Sequence, residues 1–296
     1  MEKQTKTGLI VKATGGFYYV NDGSEIYECK ARGIFRKNDD MSPTVGDSVT
    51  IEIPKEGYAL ISEIAERKNH IVRPPLSNID NLVIVVSTTE PEPNALIIDK
   101  MIAACELREI NPILVFTKTD LKQSCGLEDV YRKSGFDVYC CADGKPDNKE
   151  KFTELLKGGK ITALTGNSGV GKSTLLNGLF PGLNLQTGDI SKKLGRGRHT
   201  TRTVELFDIG GGFIADTPGF STFDMQRYDI NDKNTLAYCF REFSDHLGAC
   251  KYTSCTHMCE PNCAVISAVA TGEIHQSRYN SYRAMYEEIK NAKDHK

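Results

Sequence analysis

Gly166, Asn167, Ser168, Gly169, Val170, Gly171, Lys172 and Ser173 form a full match to the spacing G-x-x-x-x-G-K-[ST]. Glycines at those positions let backbone N–H groups wrap a phosphate chain, and the helix that follows turns its positive end toward the same charge. Lys172 is expected to reach the β- and γ-phosphates, and the Ser173 hydroxyl to coordinate Mg²⁺. Asp216-Thr217-Pro218-Gly219 adds a carboxylate for the Mg²⁺ shell and, in Gly219, an N–H that can sense the γ-phosphate. Thr117-Lys118-Thr119-Asp120 is a near match to N-K-x-D. The two oxygens of Asp120 can accept from guanine N1–H and the 2-amino group together, a pair that adenine does not offer. A site built on that pair rejects the wrong base by roughly 10⁴ or more, because the carboxylate would be left unpaired. The three motifs together predict GTP rather than ATP.

Their order is unusual. The base-reading element stands before the phosphate loop, whereas an ordinary GTPase carries it last, so the domain reads as circularly permuted. Thr117 stands where an asparagine amide would both donate to guanine N7 and tie its loop to the phosphate loop; a threonine hydroxyl can do only part of that. Cys141-Ala142-Asp143 is a candidate for the short backbone element facing guanine O6. Phe220 follows the Asp216–Gly219 motif, and an apolar ring cannot orient an attacking water. His199, beside Thr200 and Thr201, is the candidate for that task, the other reading being a residue that steadies its loop or touches RNA. One of the two threonines is expected to close over Mg²⁺.

Cys250, Cys255, His257 and Cys263 place three thiolates and an imidazole at short intervals, the pattern of a closed Cys₃His zinc site that supports folding rather than catalysis. Cys259 is a fifth possible ligand. The chain holds 10 cysteines and a polar N-terminal segment without the apolar core of a signal peptide, which together predict a reducing, cytoplasmic setting. No apolar run reaches membrane-spanning length. A formal charge of −2 gives no global nucleic-acid signal, so RNA contact must come from local patches such as Lys192–Arg202. A solvated basic loop is the competing reading of that run.

Three segments are expected to position these residues. Within 1–70, Gly8–Ala13, Gly16–Asn21, Ile26–Arg32, Asp47–Ile53 and Tyr58–Ile64 read as five short strands, which suit an OB-type Greek-key barrel. His70–Pro75 breaks that pattern, since its two prolines disfavour helix and central strand. Over 71–225, strands at Asn81–Ser87, Pro112–Phe116, Asp137–Cys141 and Ile161–Thr165 alternate with a helix over Asn94–Arg108 and one starting at Lys172. A further strand is expected to end at Ala215. This is the α/β pattern of a doubly wound, mostly parallel sheet, with the motifs at the carboxyl ends of its strands. Residues 226–296 hold the cysteine cluster and a helix. Its Tyr279, Tyr282, Tyr286 and Ile289 recur at helical spacing and read as core-facing, with Arg278, Arg283 and Lys290 interleaved.

The permuted motif order, the run from Gly195 to Thr201, the N-terminal barrel and the Cys₃His spacing resemble the ribosome small-subunit-dependent GTPases, the RsgA, YjeQ or YloQ family. The resemblance covers essentially the whole chain. It implies an OB-fold RNA-binding domain, a permuted P-loop GTPase domain and a C-terminal helical zinc domain. It also implies a late role in 30S maturation, GTP hydrolysis stimulated by that subunit, and contact with 16S rRNA. The family's phosphate-loop residues carry over to Gly166–Thr174, its base reader to Thr117–Asp120, its histidine to His199, and its metal ligands to Cys250, Cys255, His257 and Cys263. GTP or GDP, Mg²⁺ and one Zn²⁺ are the expected cofactors. The expected protein is a monomer that uses neither DNA nor membrane. Two rival functions remain at this level: an RNA-binding switch in which hydrolysis is incidental, and a metal-handling GTPase.

Overall fold

The structure is a computed structural model that describes residues 4–36, 42–72, 74–183, 204–216, 230 and 232–294. In chain order the first strands are β1 (Gln4–Thr14), β2 (Phe17–Asn21), β3 (Ile26–Ala31), β4 (Ser48–Ile53) and β5 (Ala59–Ile64). Next come β6 (His70–Val72), β7 (Pro75–Ser77), β8 (Asn81–Ser87), α1 (Ala95–Leu107) and β9 (Asn111–Thr117). They are followed by α2 (Leu127–Lys133), β10 (Asp137–Ala142), β11 (Lys145–Pro146), α3 (Lys149–Leu155) and β12 (Ile161–Thr165). The rest are α4 (Lys172–Leu179), β13 (Glu205–Asp208), β14 (Phe213–Asp216), α5 (Lys233–Leu236), α6 (Ala264–Thr271) and α7 (Gln276–Asp294).

The chain forms two compact units. The first takes residues 1–81, 149–165 and 176–220. Here β1 to β5 close on themselves in the order β1-β2-β3-β5-β4, with β4 returning to pair with β1. All neighbours run antiparallel except β3 and β5. Closure removes the open sheet edge that a five-stranded sheet would otherwise expose. Ile10, Val20, Cys29, Val49, Ile51 and Ile61, one or two from each strand, are buried. The entry to β4 is pinned by a buried carboxylate. Asp47 accepts from Arg67 Nε at 2.7 Å and Nη2 at 2.8 Å, and from the backbone N–H of Thr44 at 2.7 Å. The expected barrel is therefore present with its five predicted strands. His70–Pro75 leaves the barrel pattern and is neither helix nor central strand: β6 and β7 pair antiparallel as a separate two-stranded ribbon, which the sequence reading had not assigned. Proline is tolerated there because Pro75 is the first residue of its strand and pairs at the ribbon's end. In the same unit β12, β14 and β13 lie side by side, parallel and then antiparallel, and β13 continues to β1.

The second unit takes residues 82–148, 166–175 and 221–296. Its strands run in the order β11-β10-β9-β8, with β9 and β10 parallel. Strands β8 and β9 are buried almost throughout, as strands covered on both faces must be. Helix α1 begins at Asn94, whose side chain accepts from the N–H of Ile97. On α7, Tyr279, Tyr282, Tyr286 and Ile289 are all buried, so the aromatic stripe is core, as read from the sequence. Arg278, one of the interleaved cations, is also buried, at 1% exposure. Its Nε donates to Glu242 at 2.5 Å, its Nη1 donates to Asp99 on α1, and its guanidinium lies 4.6 Å from the Phe240 ring.

Candidate nucleotide and metal sites

Every described base- and phosphate-loop residue lies in the second unit, at the carboxyl ends of its strands or in the loop entering α4. Strand β9 ends on Thr117, and parallel pairing sets Cys141 of β10 beside it. The chain then turns sharply, because Lys118 is in the left-handed region at φ 59°. Thr88, just past β8, holds that turn: its hydroxyl reaches the carbonyls of Thr117 and Lys118, each at 3.1 Å. Its N–H donates to the Thr117 carbonyl at 3.0 Å. Thr119 N–H donates to the Cys141 carbonyl at 3.3 Å, and Asp143 N–H donates to Asp120 Oδ1 at 3.2 Å. One oxygen of Asp120 is thus fixed by the backbone of the Cys141–Asp143 segment. The two elements read separately from the sequence meet here.

Thr117 is buried at 4% exposure, and its hydroxyl lies 3.1 Å from the Val86 carbonyl and closer still to the Val170 carbonyl. Val170 belongs to the phosphate loop. The threonine therefore keeps one of the two tasks open to an asparagine, the tie between the loops. The loops also meet at Gly144, at φ 75°, where an added Cβ would lie 2.6 Å from the Thr174 carbonyl. That approach admits no side chain.

Gly166 opens the phosphate loop at φ 143°, and a Cβ there would stand 2.4 Å from the Val85 carbonyl. Only glycine can leave the sheet on this path. The Lys172 ammonium donates to the carbonyls of Gly166 at 2.7 Å and Asn167 at 2.8 Å, which places its charge over the loop. Burial lowers its pKa, a cost that a phosphate group would offset. Lys172, Ser173 and Thr174 form the first turn of α4, whose leading N–H groups have no partner within the helix. Asn167, Ser168, Gly169 and Gly171 complete the loop between β12 and this turn. Backbone pairing sets Asp216 at the end of β14, opposite Glu205 of β13. His199, Thr200, Thr201, Gly219 and Phe220, with the basic run Lys192–Arg202, lie outside the described residues.

The cysteine cluster is a second site. Donor atoms of Cys250, Cys255, His257 and Cys263 all lie within 4.8 Å of one another. Cys250 Sγ is 3.8 Å from Cys263 Sγ and 3.6 Å from His257 Nδ1, and the latter is 3.4 Å from Cys263 Sγ. A tetrahedral ion with bonds of about 2.0 to 2.3 Å requires donor separations of about 3.5 to 3.8 Å. The set is therefore compatible with zinc. Cys259 is exposed and stands outside the cluster. His257 takes a left-handed backbone, φ 58°, and burial lowers its pKa against the pull of Glu260, favouring the neutral ring that a metal needs. Helix α7 braces the loop: Tyr279 hydroxyl donates to the His257 carbonyl at 2.9 Å and Tyr282 hydroxyl to the Thr256 carbonyl at 2.7 Å.

Thr88 and Gly144 escaped the sequence reading. The first follows the Asn81–Ser87 strand with no motif to mark it, and the second gains its meaning only from Thr174, thirty positions later in the chain.

Comparison with known proteins gives consistent matches. A family model for RsgA GTPases matches residues 64–226, and one for the RsgA N-terminal domain matches residues 7–61. The small ribosomal subunit biogenesis GTPase RsgA 2 of Listeria monocytogenes is 43% identical over 292 residues, covering 97% of this chain and 98% of its own. The RsgA of Bacillus cereus is 43% identical over 294 residues, with the same coverage. Among solved structures, YjeQ from Thermotoga maritima superposes with a TM-score of 0.78 at 34% identity, covering 97% of this chain and 99% of its own. YloQ, a circularly permuted GTPase, gives 0.78 at 36% identity, covering 98% and 96%.

Proposed function

The chain belongs to the RsgA GTPase family, and from that premise we propose that it hydrolyses GTP to GDP and phosphate during late maturation of the small ribosomal subunit. In this reading the 30S subunit stimulates hydrolysis and the protein contacts 16S rRNA, acting as a cytoplasmic monomer. The observation that carries the proposal is the tie from Thr117 to Val170, which joins the base-reading and phosphate-binding loops in one site despite their reversed order.

In this site Asp120 accepts from the guanine edge while the Cys141–Asp143 backbone holds it in place. Gly166–Gly171 wrap the phosphates, and Lys172 bridges the terminal two. Ser173, Asp216 and either Thr200 or Thr201 would hold Mg²⁺, which neutralises charge building on the phosphates. Gly219 senses the γ-phosphate, and His199 orients the attacking water. Cys250, Cys255, His257 and Cys263 would hold one structural Zn²⁺, with no position left open for substrate. That closure favours an assembly GTPase over a metal-handling one.

The test is GTP turnover with purified 30S, 50S and 70S particles. The 30S subunit should raise turnover well above the basal rate, and co-sedimentation with it should be stronger with a non-hydrolysable GTP analogue than with GDP. Absence of stimulation together with nucleotide-independent co-sedimentation would refute the assignment.

A further inference from the structure

The Thr117 hydroxyl points to an unusual mode of base recognition. Purine N7 is only an acceptor, so reading it requires a donor. A threonine hydroxyl carries a single proton, whereas an asparagine amide carries two N–H donors and can serve a loop carbonyl and N7 together. The proton of Thr117 is already committed: the hydroxyl is buried against the Val86 carbonyl at 3.1 Å and the Val170 carbonyl at closer range. Other donors around the base-reading loop are also directed elsewhere, the Lys118 ammonium with one of its three protons. Lys118 Nζ donates to the Glu90 carbonyl, Thr119 N–H to the Cys141 carbonyl, and Asp143 N–H to Asp120 Oδ1. Asp120 itself, as a carboxylate, can only accept.

We infer that this chain selects guanine without reading N7: Thr117 is a positioning residue that ties the base loop to the phosphate loop, and discrimination rests on the N1 and 2-amino edge facing Asp120. The inference rests on the guanine-nucleotide reading above. It predicts that 7-deaza-GTP, in which a C–H replaces N7, binds as well as GTP.

The experiment is competition binding of GTP, 7-deaza-GTP and ATP to the full-length protein with Mg²⁺. GTP and 7-deaza-GTP should bind within about twofold of each other, with ATP far weaker. Thr117→Asn supplies a second donor, so it should bind GTP in preference to 7-deaza-GTP by about fivefold, the worth of one net hydrogen bond. Thr117→Val removes the tie and should weaken both guanine nucleotides by the same factor, leaving their ratio near one. A wild-type preference for GTP over 7-deaza-GTP of fivefold or more, with ATP still excluded, would overturn the inference alone. ATP competing as well as GTP would overturn the guanine reading and this inference with it. The wild-type comparison decides the matter even if a variant fails to fold.

Discussion

In the proposed function Asp120 and Lys172 divide recognition of the nucleotide between base and phosphate, and each can be tested alone. Asp120→Asn exchanges one acceptor oxygen for an amide donor, which suits the 2-oxo group of xanthine. Preference should move from GTP toward XTP, and binding assays with both nucleotides check it. Lys172→Ala removes the cation placed over the phosphate loop by the carbonyls of Gly166 and Asn167. It should abolish productive triphosphate binding while leaving the thermal unfolding profile nearly unchanged. His199→Ala should lower stimulated turnover by roughly 10²- to 10⁴-fold, the usual effect of losing a positioned proton-transfer or water-orienting group, with GTP binding close to normal. Unchanged stimulated turnover would remove His199 from the mechanism. The phosphate-loop spacing and Asp120 were legible in the sequence because their chemistry is local. The role of Thr117 was half legible: the missing amide was plain, but the partner of its hydroxyl was not.

Among the elements, the cysteine loop and α7 depend on each other. Cys255→Ser should release the metal, whereas Cys259→Ser should retain one equivalent, because Cys259 stands outside the donor cluster. Elemental analysis of both variants decides between them. Arg278 secures α7 to α1 through Asp99, and the same guanidinium serves Glu242. Burial pushes the Asp99 pKa up, while the guanidinium pulls it down, so removing the cation leaves a buried carboxyl with neutral hydroxyl partners such as Tyr131 but no compensating charge. Arg278→Met should destabilise the protein by about 3–5 kcal/mol, read by urea unfolding. The sequence placed Arg278 beside the core tyrosines and gave no partner for it. Helical spacing gives the direction of a side chain but not which element will cover it.

Across the whole chain, the permuted order places the cysteine cluster after Asp216–Gly219 in sequence, and the basic run Lys192–Arg202 before that motif. In the proposed function an anionic surface bears on that run and acts on His199, and the proposed partner is ribosomal RNA. Binding to 30S subunits should then weaken steeply as salt rises, because phosphate contacts release counterions. Co-sedimentation across a salt series measures the slope, and a flat response would exclude phosphate contacts as the main source of affinity.

By itself the sequence located the motifs, the family and most of the elements. Glycine and lysine spacing marked the phosphate-loop motif, Asp120 the proposed guanine contact, and cysteine intervals a Cys₃His cluster compatible with zinc. Alternating and clustered apolar residues located the barrel strands and the buried strands β8, β9 and β12, because those patterns record which face each residue must bury. The ribbon of β6 and β7 and the strand β13 were missed, since strands of three or four residues leave no periodicity to read, and β14, equally short, was found only through the motif that follows it. Tertiary structure alone decided which separated groups meet: Thr117 with Val170, Gly144 with Thr174, and Arg278 with Asp99 and Glu242. Each joins residues far apart in the chain, and such contacts are fixed by the packing of whole elements, which local spacing does not encode.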